Sequence, residues 1–214
     1  MFVTTREKYV LDMAEKGIRI DGRKAEDYRE ITIERDVIKT AEGSAKVTLG
    51  NTQVIVGVKM SVGEPYADMP DEGVLIVNAE LVPMADPEFE PGPPSAESVE
   101  VARVVDRGIR ESKMVDLKKL FISEKEVWMV NVDIHVLDHD GNMIDAASLA
   151  AAVALKNTMI PKYENEKIIV EEKTGPLAVV CKPVTITVAK VADKLFSDPC
   201  QAEENVMSAR LTAT

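Results

Sequence analysis

The apolar positions along the chain follow two different periods. Residues 4–16 repeat at helical spacing, with Thr4 or Thr5 available as N-cap and Gly17 as the stop signal. From Tyr28 onward the period becomes two, and a turn signal at Gly50 separates two of the alternating runs. The pattern therefore predicts an opening helix followed by an antiparallel meander.

A proline-rich loop separates a strand from a helix in the middle of the chain. Residues 73–82 continue the sheet, and five prolines between positions 83 and 94 then prevent regular structure. Ser95 is the predicted N-cap of a helix that reaches about Lys113. Its first turns contain Glu97 and Glu100, where the helix dipole favours carboxylates. We expect this helix to cross the sheet.

The second half of the chain repeats this order. We predict a strand at residues 126–138, a turn at 140–141, a helix from Asp145 to Asn157 that Pro161 terminates, and strands at 168–171 and 179–188. Residues 206–214 begin a strand-like pattern without a turn, partner strand or closing helix, so we expect a truncated C-terminus.

Repetition of a sheet and a covering helix indicates the α+β class. The chain of 214 residues is long enough for one domain or two closely fused halves. We predict a single domain over residues 1–214, built from two similar halves at about 24–115 and 120–214.

Composition excludes several function classes. The formal net charge of −11 is the opposite of a broad basic footprint, so any nucleic-acid contact must be local or shared with a partner. Cys181 and Cys200 form no CxxC or Cys/His cluster, which argues against a zinc site or a disulfide framework. Without a membrane-spanning run or a signal peptide, we expect a cytoplasmic protein and no membrane partner. No P-loop or GxGxxG follows a predicted strand, which disfavours a nucleotide-binding metabolic protein.

Five stretches of the sequence carry a family resemblance. They are residues 19–23 (RIDGR), 43–54 (GSAKVTLGNTQV), 77–85 (VNAELVPMA), 90–94 (EPGPP) and 102–112 (ARVVDRGIRES). Together they resemble the RNase PH family, whose enzymes remove RNA 3′ nucleotides by phosphorolysis, and within it the non-catalytic ring subunits of the archaeal exosome. The resemblance covers nearly the whole chain and implies an RNase PH-like fold, of the ribosomal protein S5 domain 2-like type.

The resemblance also implies partners. It implies a heterohexameric ring in which three copies of this subunit alternate with three copies of a catalytic RNase PH-like paralogue. RNA-binding cap proteins and single-stranded RNA are the other expected partners. Phosphate and magnesium are expected at the paralogue's active site, and no cofactor is expected on this subunit.

The turn that would hold phosphate lacks a cation. Active members place Gly-Thr-Arg at a helix start, where backbone N–H groups and a guanidinium bind an anion. The matching segment here is 140–145 (DGNMID), and no arginine occurs between Arg110 and Arg210. Asp145 would repel phosphate, although its simplest role is that of an N-cap. We therefore predict no catalytic residues on this chain.

Active members also carry two aspartates six residues apart that hold a metal or act as general acid. Asp198 and Glu204 match this pair, with a longer side chain at the second position. Glu203 adds like charge beside it. We interpret the pair as vestigial and predict no metal site. The alternative is a self-sufficient, phosphate-dependent 3′–5′ exoribonuclease.

Three arginines follow one face of the helix that begins after Ser95. Arg103, Arg107 and Arg110 stand at i, i+4 and i+7 and share a narrow stripe. The residues alone fit a face of ion pairs, for which Glu100, Asp106 and Glu111 are the available carboxylates. The resemblance implies that this helix lines the RNA-binding site, so we predict RNA contact by these arginines, with Arg107 and Arg110 as the leading candidates.

Two further segments leave alternatives open. Residues 63–72 (GEPYADMPDE) are acidic where active members are basic, which fits either a solubility feature or a surface that repels RNA. Arg19 and Arg23 flank a tight Asp-Gly turn, and they can clamp either that turn or an interface.

Overall fold

The computed structural model describes residues 4–214, so residues 1–3 of the predicted domain lie outside the described part. The elements in chain order are α1 (Thr5–Glu15), β1 (Ile31–Arg35), β2 (Gly43–Leu49), β3 (Thr52–Gly63), β4 (Val74–Leu81), α2 (Ala96–Glu111), a 3₁₀ helix (Leu117–Leu120), β5 (Phe121–Ser123), β6 (Glu126–Asp138), α3 (Met143–Asn157), β7 (Met159–Glu164), β8 (Lys167–Pro176), β9 (Ile186–Val191), β10 (Lys194–Ser197), α4 (Gln201–Glu204) and β11 (Ala209–Ala213). The predicted α+β class is confirmed.

The main sheet has the strand order β1-β2-β3-β6-β4, and β5 pairs with β6. The predicted meander is confirmed, because β1, β2 and β3 pair antiparallel. Strand β6 pairs antiparallel with β3 and parallel with β4. Since β6 comes from the second predicted half and lies between two strands of the first, the two halves share one sheet.

Helices α2 and α3 cover the apolar face of this sheet. Alternate residues of β3 and β6 point into the core, including Val56 and Val132, which are fully buried. Helix α3 faces β2 with small residues, among them Ala150 and Ala154. Any Cβ at Gly43 would lie 2.5 Å from the Ala154 carbonyl oxygen, so glycine is required for this close approach.

The predicted starts of two helices are confirmed. Thr4, rather than Thr5, caps α1: its Oγ1 accepts from the N–H of Glu7, and the Glu7 carboxylate accepts from the N–H of Thr4. Ser95 caps α2 by accepting from the N–H of Ser98 at 3.1 Å. Each cap satisfies backbone donors that the helix itself cannot pair.

Three predictions about the second half are wrong. Helix α3 begins at Met143 and not at Asp145. It ends at Asn157 as predicted, but Pro161 does not terminate it, because Pro161 lies within the following strand β7. In the predicted strand 179–188, Val179 forms only an isolated bridge to Val115, and a regular strand starts at Ile186. An intervening proline at position 183 cannot donate to a ladder, which explains the interruption.

The segment expected to lack a partner strand does have one. Strand β11 pairs antiparallel with β9, which in turn pairs with β10, so these strands form a three-stranded sheet. Because β10 and α4 lie between β9 and β11 in the sequence, no turn signal precedes β11 to reveal its partner. Within residues 4–214, none of the helices combines the length and the apolar character needed to cross a bilayer.

Candidate functional site

Asp198 is the centre of a buried ion-pair network. Its side chain is fully buried, and its carboxylate accepts from Arg23 at 2.8 Å and from the Arg29 guanidinium at 2.7 and 2.9 Å. Asn142 Nδ2 donates to Asp198 Oδ1 at 2.8 Å. Burial alone would raise the pKa of Asp198, but the hydrogen bonds from Arg29 and Asn142 outweigh it and lower the pKa. Asp198 is therefore ionised, and both of its carboxylate oxygens accept hydrogen bonds from within the chain.

Arg29 also holds the turn that precedes α3. Its guanidinium donates to the carbonyl oxygens of Asp140 and Gly141, at 2.6 and 3.2 Å. An arginine thus does reach this turn, but it comes from a distant part of the sequence and acts as an internal clamp. Sequence spacing does not reveal this contact, because Arg29 lies 111 residues before the turn.

Arg19 forms a second, fully buried pair. Its Nε and Nη2 donate to the two carboxylate oxygens of Glu203, at 2.9 and 2.6 Å. Its remaining donors reach backbone carbonyls, including those of Ser197 and Asp198 at 2.8 Å. Arg23 donates to Asp21 Oδ2 at 2.6 Å as well as to Asp198. Arg23 thus clamps the Asp-Gly turn, as one of the two predicted roles required, whereas Arg19 ties the segment before the turn to residues 197–203.

Asp145 is not the N-cap of α3. The cap position is Asn142, which adopts a left-handed conformation with φ of 52° and makes no side-chain cap hydrogen bond. Asp145 lies in the first helical turn, buried, and accepts from Tyr28, Asn142 and Thr187. The donor distances are 2.8 Å for Tyr28 Oη, 2.9 Å for Asn142 Nδ2, and 3.0 and 2.7 Å for Thr187 N and Oγ1. Helix propensity does not reveal Tyr28 and Thr187 as partners, because they come from two distant segments of the chain.

Glu204 occupies the start of α3. Its Oε1 accepts from the backbone N–H of Asn142 at 3.0 Å, a donor of the kind that would otherwise be available to an anion. The surrounding cleft is lined by Glu97, Glu100 and Arg210 in addition to Glu204. Arg210 is itself paired with Glu100 at 2.5 Å. We call this region the acidic cleft.

The electrostatics of the acidic cleft oppose anion binding. Burial, together with the nearby Glu97 carboxylate, raises the pKa of Glu204 to about 7, although the hydrogen bond from Asn142 and the charge of Arg210 act in the opposite direction. Burial likewise raises the pKa of Glu97. An incoming phosphate would meet carboxylates in place of free cations, so the residues present do not fit a phosphate site.

Nor do these residues fit a magnesium site. Both oxygens of Asp198 accept from cationic guanidinium groups, which would repel a second cation and occupy its lone pairs. Within the described residues, no three or more His, Cys, Asp or Glu side chains converge as metal ligands. Asp198 accepts from the side-chain amide of Asn142, whereas Glu204 accepts from its backbone N–H, so the two members of the predicted acidic pair have separate structural roles.

The arginine stripe lies on the solvent side of α2, opposite the buried Val101 and Val105. Arg103 and Arg107 are exposed, and neither forms an ion pair with any residue from 4 to 214. Arg110 differs, because its Nε donates to both oxygens of Asp106 at 2.9 Å and its Nη2 donates to the carbonyl oxygen of Leu75.

The expected ion-pair face is therefore only partly present. Asp106 pairs with Arg110, Glu100 pairs with Arg210 from β11, and Glu111 pairs with none of the three stripe arginines. We call the exposed surface of Arg103 and Arg107 the arginine face. It presents two cations that the described protein does not neutralise.

Comparison with known proteins places this geometry in a family. Residues 27–161 match the model of the 3′ exoribonuclease family, domain 1, also called RNase PH. The chain belongs to the RNase PH family. This assignment confirms the predicted resemblance and the RNase PH-like fold.

Relatives within the RNase PH family come from archaeal exosomes. The chain is 54% identical over 209 residues to the exosome complex component Rrp42 of Methanopyrus kandleri, a match that covers 96% of this chain and 78% of that protein. It matches a chain of the Archaeoglobus fulgidus exosome with RNA bound to the active site, with a TM-score of 0.90, 52% identity and coverage of 97% and 80%. A chain of an archaeal exosome core matches with a TM-score of 0.85, 49% identity and coverage of 97% and 78%.

Proposed function

We propose that this RNase PH family chain is a non-catalytic component of an archaeal-type exosome, which binds RNA and completes the active site of a catalytic paralogue. In this proposal three copies alternate with three copies of the paralogue in a hexameric ring in the cytoplasm. The paralogue supplies the phosphate and magnesium site, and cap proteins deliver single-stranded RNA.

The occupied start of α3 is the observation that carries the non-catalytic part. Phosphorolysis requires inorganic phosphate to be held as nucleophile, and a helix start with an unpaired cation suits that task. Here Glu204 accepts a hydrogen bond from the backbone N–H of Asn142, the N-cap residue of α3. The nearby arginines, Arg29 and Arg210, are both paired with carboxylates. The protein's own anions therefore fill the position that a phosphate would need.

The arginine face supports the RNA-binding part. Arg103 and Arg107 project from one side of a helix that is held rigidly on the sheet, and their charges are unpaired within the described chain. Forked guanidinium donors suit successive phosphates of a single strand. Such contacts add affinity without selecting a base sequence.

The net charge supports a partner rather than self-association. A chain with a formal charge of −11 would repel its own copies in a ring, whereas a more basic paralogue relieves this repulsion. Light scattering of the chain alone and with the paralogue tests this point. We expect a hexamer only in the mixture, and a stable homohexamer of this chain would contradict the proposal.

An assay of RNA degradation tests the catalytic assignment. The purified chain is incubated with an internally labelled oligoadenylate, inorganic phosphate and magnesium, and the release of nucleoside diphosphate is measured. We expect release only after the chain is assembled with its paralogue. Phosphate-stimulated release by the chain alone would instead favour the self-sufficient exoribonuclease.

A further inference from the structure

Strand β4 is an edge strand with an open side. It pairs with β6 along one edge, and no residue of 76–81 forms a backbone hydrogen bond elsewhere in the described chain. Near the beginning of the strand, the Arg110 side chain donates to the Leu75 carbonyl oxygen. From Ile76 to Leu81 the outer edge has no such cover. An open edge of this kind is a template for a further strand.

A groove adjoins the last part of this edge. It has a volume of about 810 Å³ and is formed between residues 79–83, at the end of β4, and residues 88–98, which include the proline-rich loop. The loop that forms its wall is held in place, because Phe89 stacks on His139 at 5.5 Å and Asp86 accepts from Gln201 at 2.5 Å. The groove is therefore a fixed feature of the fold.

The proline-rich loop cannot close this edge itself. Prolines at 83, 91, 93 and 94 line the groove and have no N–H to donate to a ladder. The loop therefore lies beside β4 as a wall and does not pair with it as a strand. The edge remains available to a segment from another chain.

The lining of the groove selects for positive charge. Four carboxylates face it, those of Glu80, Glu88, Glu90 and Glu97, and its lining contains no lysine or arginine. The side chain of Glu80 is 72% exposed, and Glu88 and Glu90 are also exposed. Single-stranded RNA would be repelled here, whereas lysine or arginine side chains would complement the charge.

We infer that the groove and the outer edge of β4 bind an extended, basic segment of a partner subunit, which adds a strand to the main sheet. Main-chain hydrogen bonds to β4 supply affinity, and alternate lysine or arginine side chains reach the carboxylates of the groove. The inference rests on the proposed ring, since the paralogue is the partner that would donate this segment. It assigns assembly to this surface and RNA binding to the separate arginine face.

Hydrogen exchange of the assembled complex tests this inference. We expect the amides of residues 76–81 that face away from β6 to exchange at least tenfold more slowly in the complex than in the free chain. The double charge reversal Glu80→Lys and Glu90→Lys should weaken assembly at least tenfold. The matched reversals Glu171→Lys and Glu172→Lys, on β8 outside the groove, should leave assembly unchanged.

The outcomes separate this inference from the proposed function. Normal ring formation with unchanged exchange in β4, or with no effect of the groove reversals, would overturn the inference and leave the proposed function standing. Failure of the wild-type chain to assemble with the paralogue would overturn both. Protection of β4 in a complex of this chain with itself would replace the basic partner by a second copy.

Discussion

The acidic cleft and the arginine face contain similar side chains in opposite states. In and around the cleft, Arg19, Arg29 and Arg210 are each paired with a carboxylate of the same chain. On α2, Arg103 and Arg107 are exposed and unpaired within residues 4–214. Paired and buried arginines hold a fold together, whereas unpaired and exposed arginines remain available to a ligand.

The two regions therefore differ in what a mutation should change. In and around the acidic cleft the charged side chains pair with one another, so a mutation there should affect stability first. The arginine face contributes little to the fold, and a mutation there should affect binding first. Each of the following predictions tests one side of this contrast.

The largest effect is expected at Asp198. Replacing Asp198 by alanine removes the carboxylate that pairs closely with the largely buried Arg29 guanidinium and one of the two carboxylates that pair with Arg23. We expect a loss of about 3–5 kcal/mol in the free energy of unfolding, measured by urea denaturation. Asp193→Ala, at a side chain that is 97% exposed, serves as control and should cost less than about 0.5 kcal/mol. A loss below about 1 kcal/mol at Asp198 would show that the network is not structural.

The next effect is a pH dependence that arises from Glu204. Its pKa is raised from 4.5 to about 7 by burial, so the folded state binds the proton more tightly than the unfolded state. The protonation of Glu204 therefore contributes to the free energy of unfolding below pH 4.5, and this contribution is lost as the pH rises through about 7. Glu204→Gln removes this loss and should be more stable than wild type at pH 8.5, relative to pH 5, by on the order of 2 kcal/mol.

Thermal unfolding across pH 5 to 8.5 measures the Glu204 effect. Glu171→Gln, on the exposed part of β8, is the matched control and should follow the wild-type profile. A Glu204→Gln profile parallel to that of the wild type would show that Glu204 is ionised throughout this range.

A smaller effect is expected on the arginine face. In rings assembled with the paralogue, Arg107→Glu should weaken oligoadenylate binding about tenfold, since one phosphate contact is lost and a repulsion is added. The slope of log affinity against log salt should fall by about 0.7 for each lost contact. Folding and assembly should be unchanged. A normal affinity and an unchanged slope would remove Arg107 from the RNA site.

The smallest effect on RNA binding is expected at Arg110. Its guanidinium already pairs with Asp106 and caps the Leu75 carbonyl, so it has less to offer a phosphate than Arg107. Arg110→Gln should reduce RNA affinity less than Arg107→Gln and should lower stability by about 0.5–1 kcal/mol. Measuring the RNA affinity and the stability of gel-filtered rings that carry each substitution shows which arginine contributes more to RNA binding. Equal losses of affinity would mean that RNA displaces Asp106.

Local sequence signals were sufficient for much of the fold. Alternation predicted β2 and β3 because one face of these strands is buried. Ser95 marked the start of α2 because its cap hydrogen bond spans only three residues. The i, i+4, i+7 spacing placed Arg103, Arg107 and Arg110 on one helix face. All of these features depend on residues that are close in sequence.

The errors concern residues whose partners are distant. Asp145 resembled an N-cap, but its donors Tyr28 and Thr187 lie 117 and 42 residues away. Arg29 reaches the turn before α3 across 111 residues, which no spacing rule reveals. The strand β11 was expected to lack a partner because its pairing with β9 follows no adjacent turn. Tertiary contacts, which periodicity does not encode, decided each of these cases.

The parallel pairing of β4 with β6 has a consequence for biosynthesis. As the chain leaves the ribosome, β4 is complete at Leu81, but the strand that shields it begins only at Glu126. During this interval both edges of an apolar strand are exposed to other nascent chains, a condition that promotes aggregation. The prolines that directly follow β4 act as gatekeepers against such pairing. The same loop that forms the groove in the folded protein thus protects the polypeptide while it is being made.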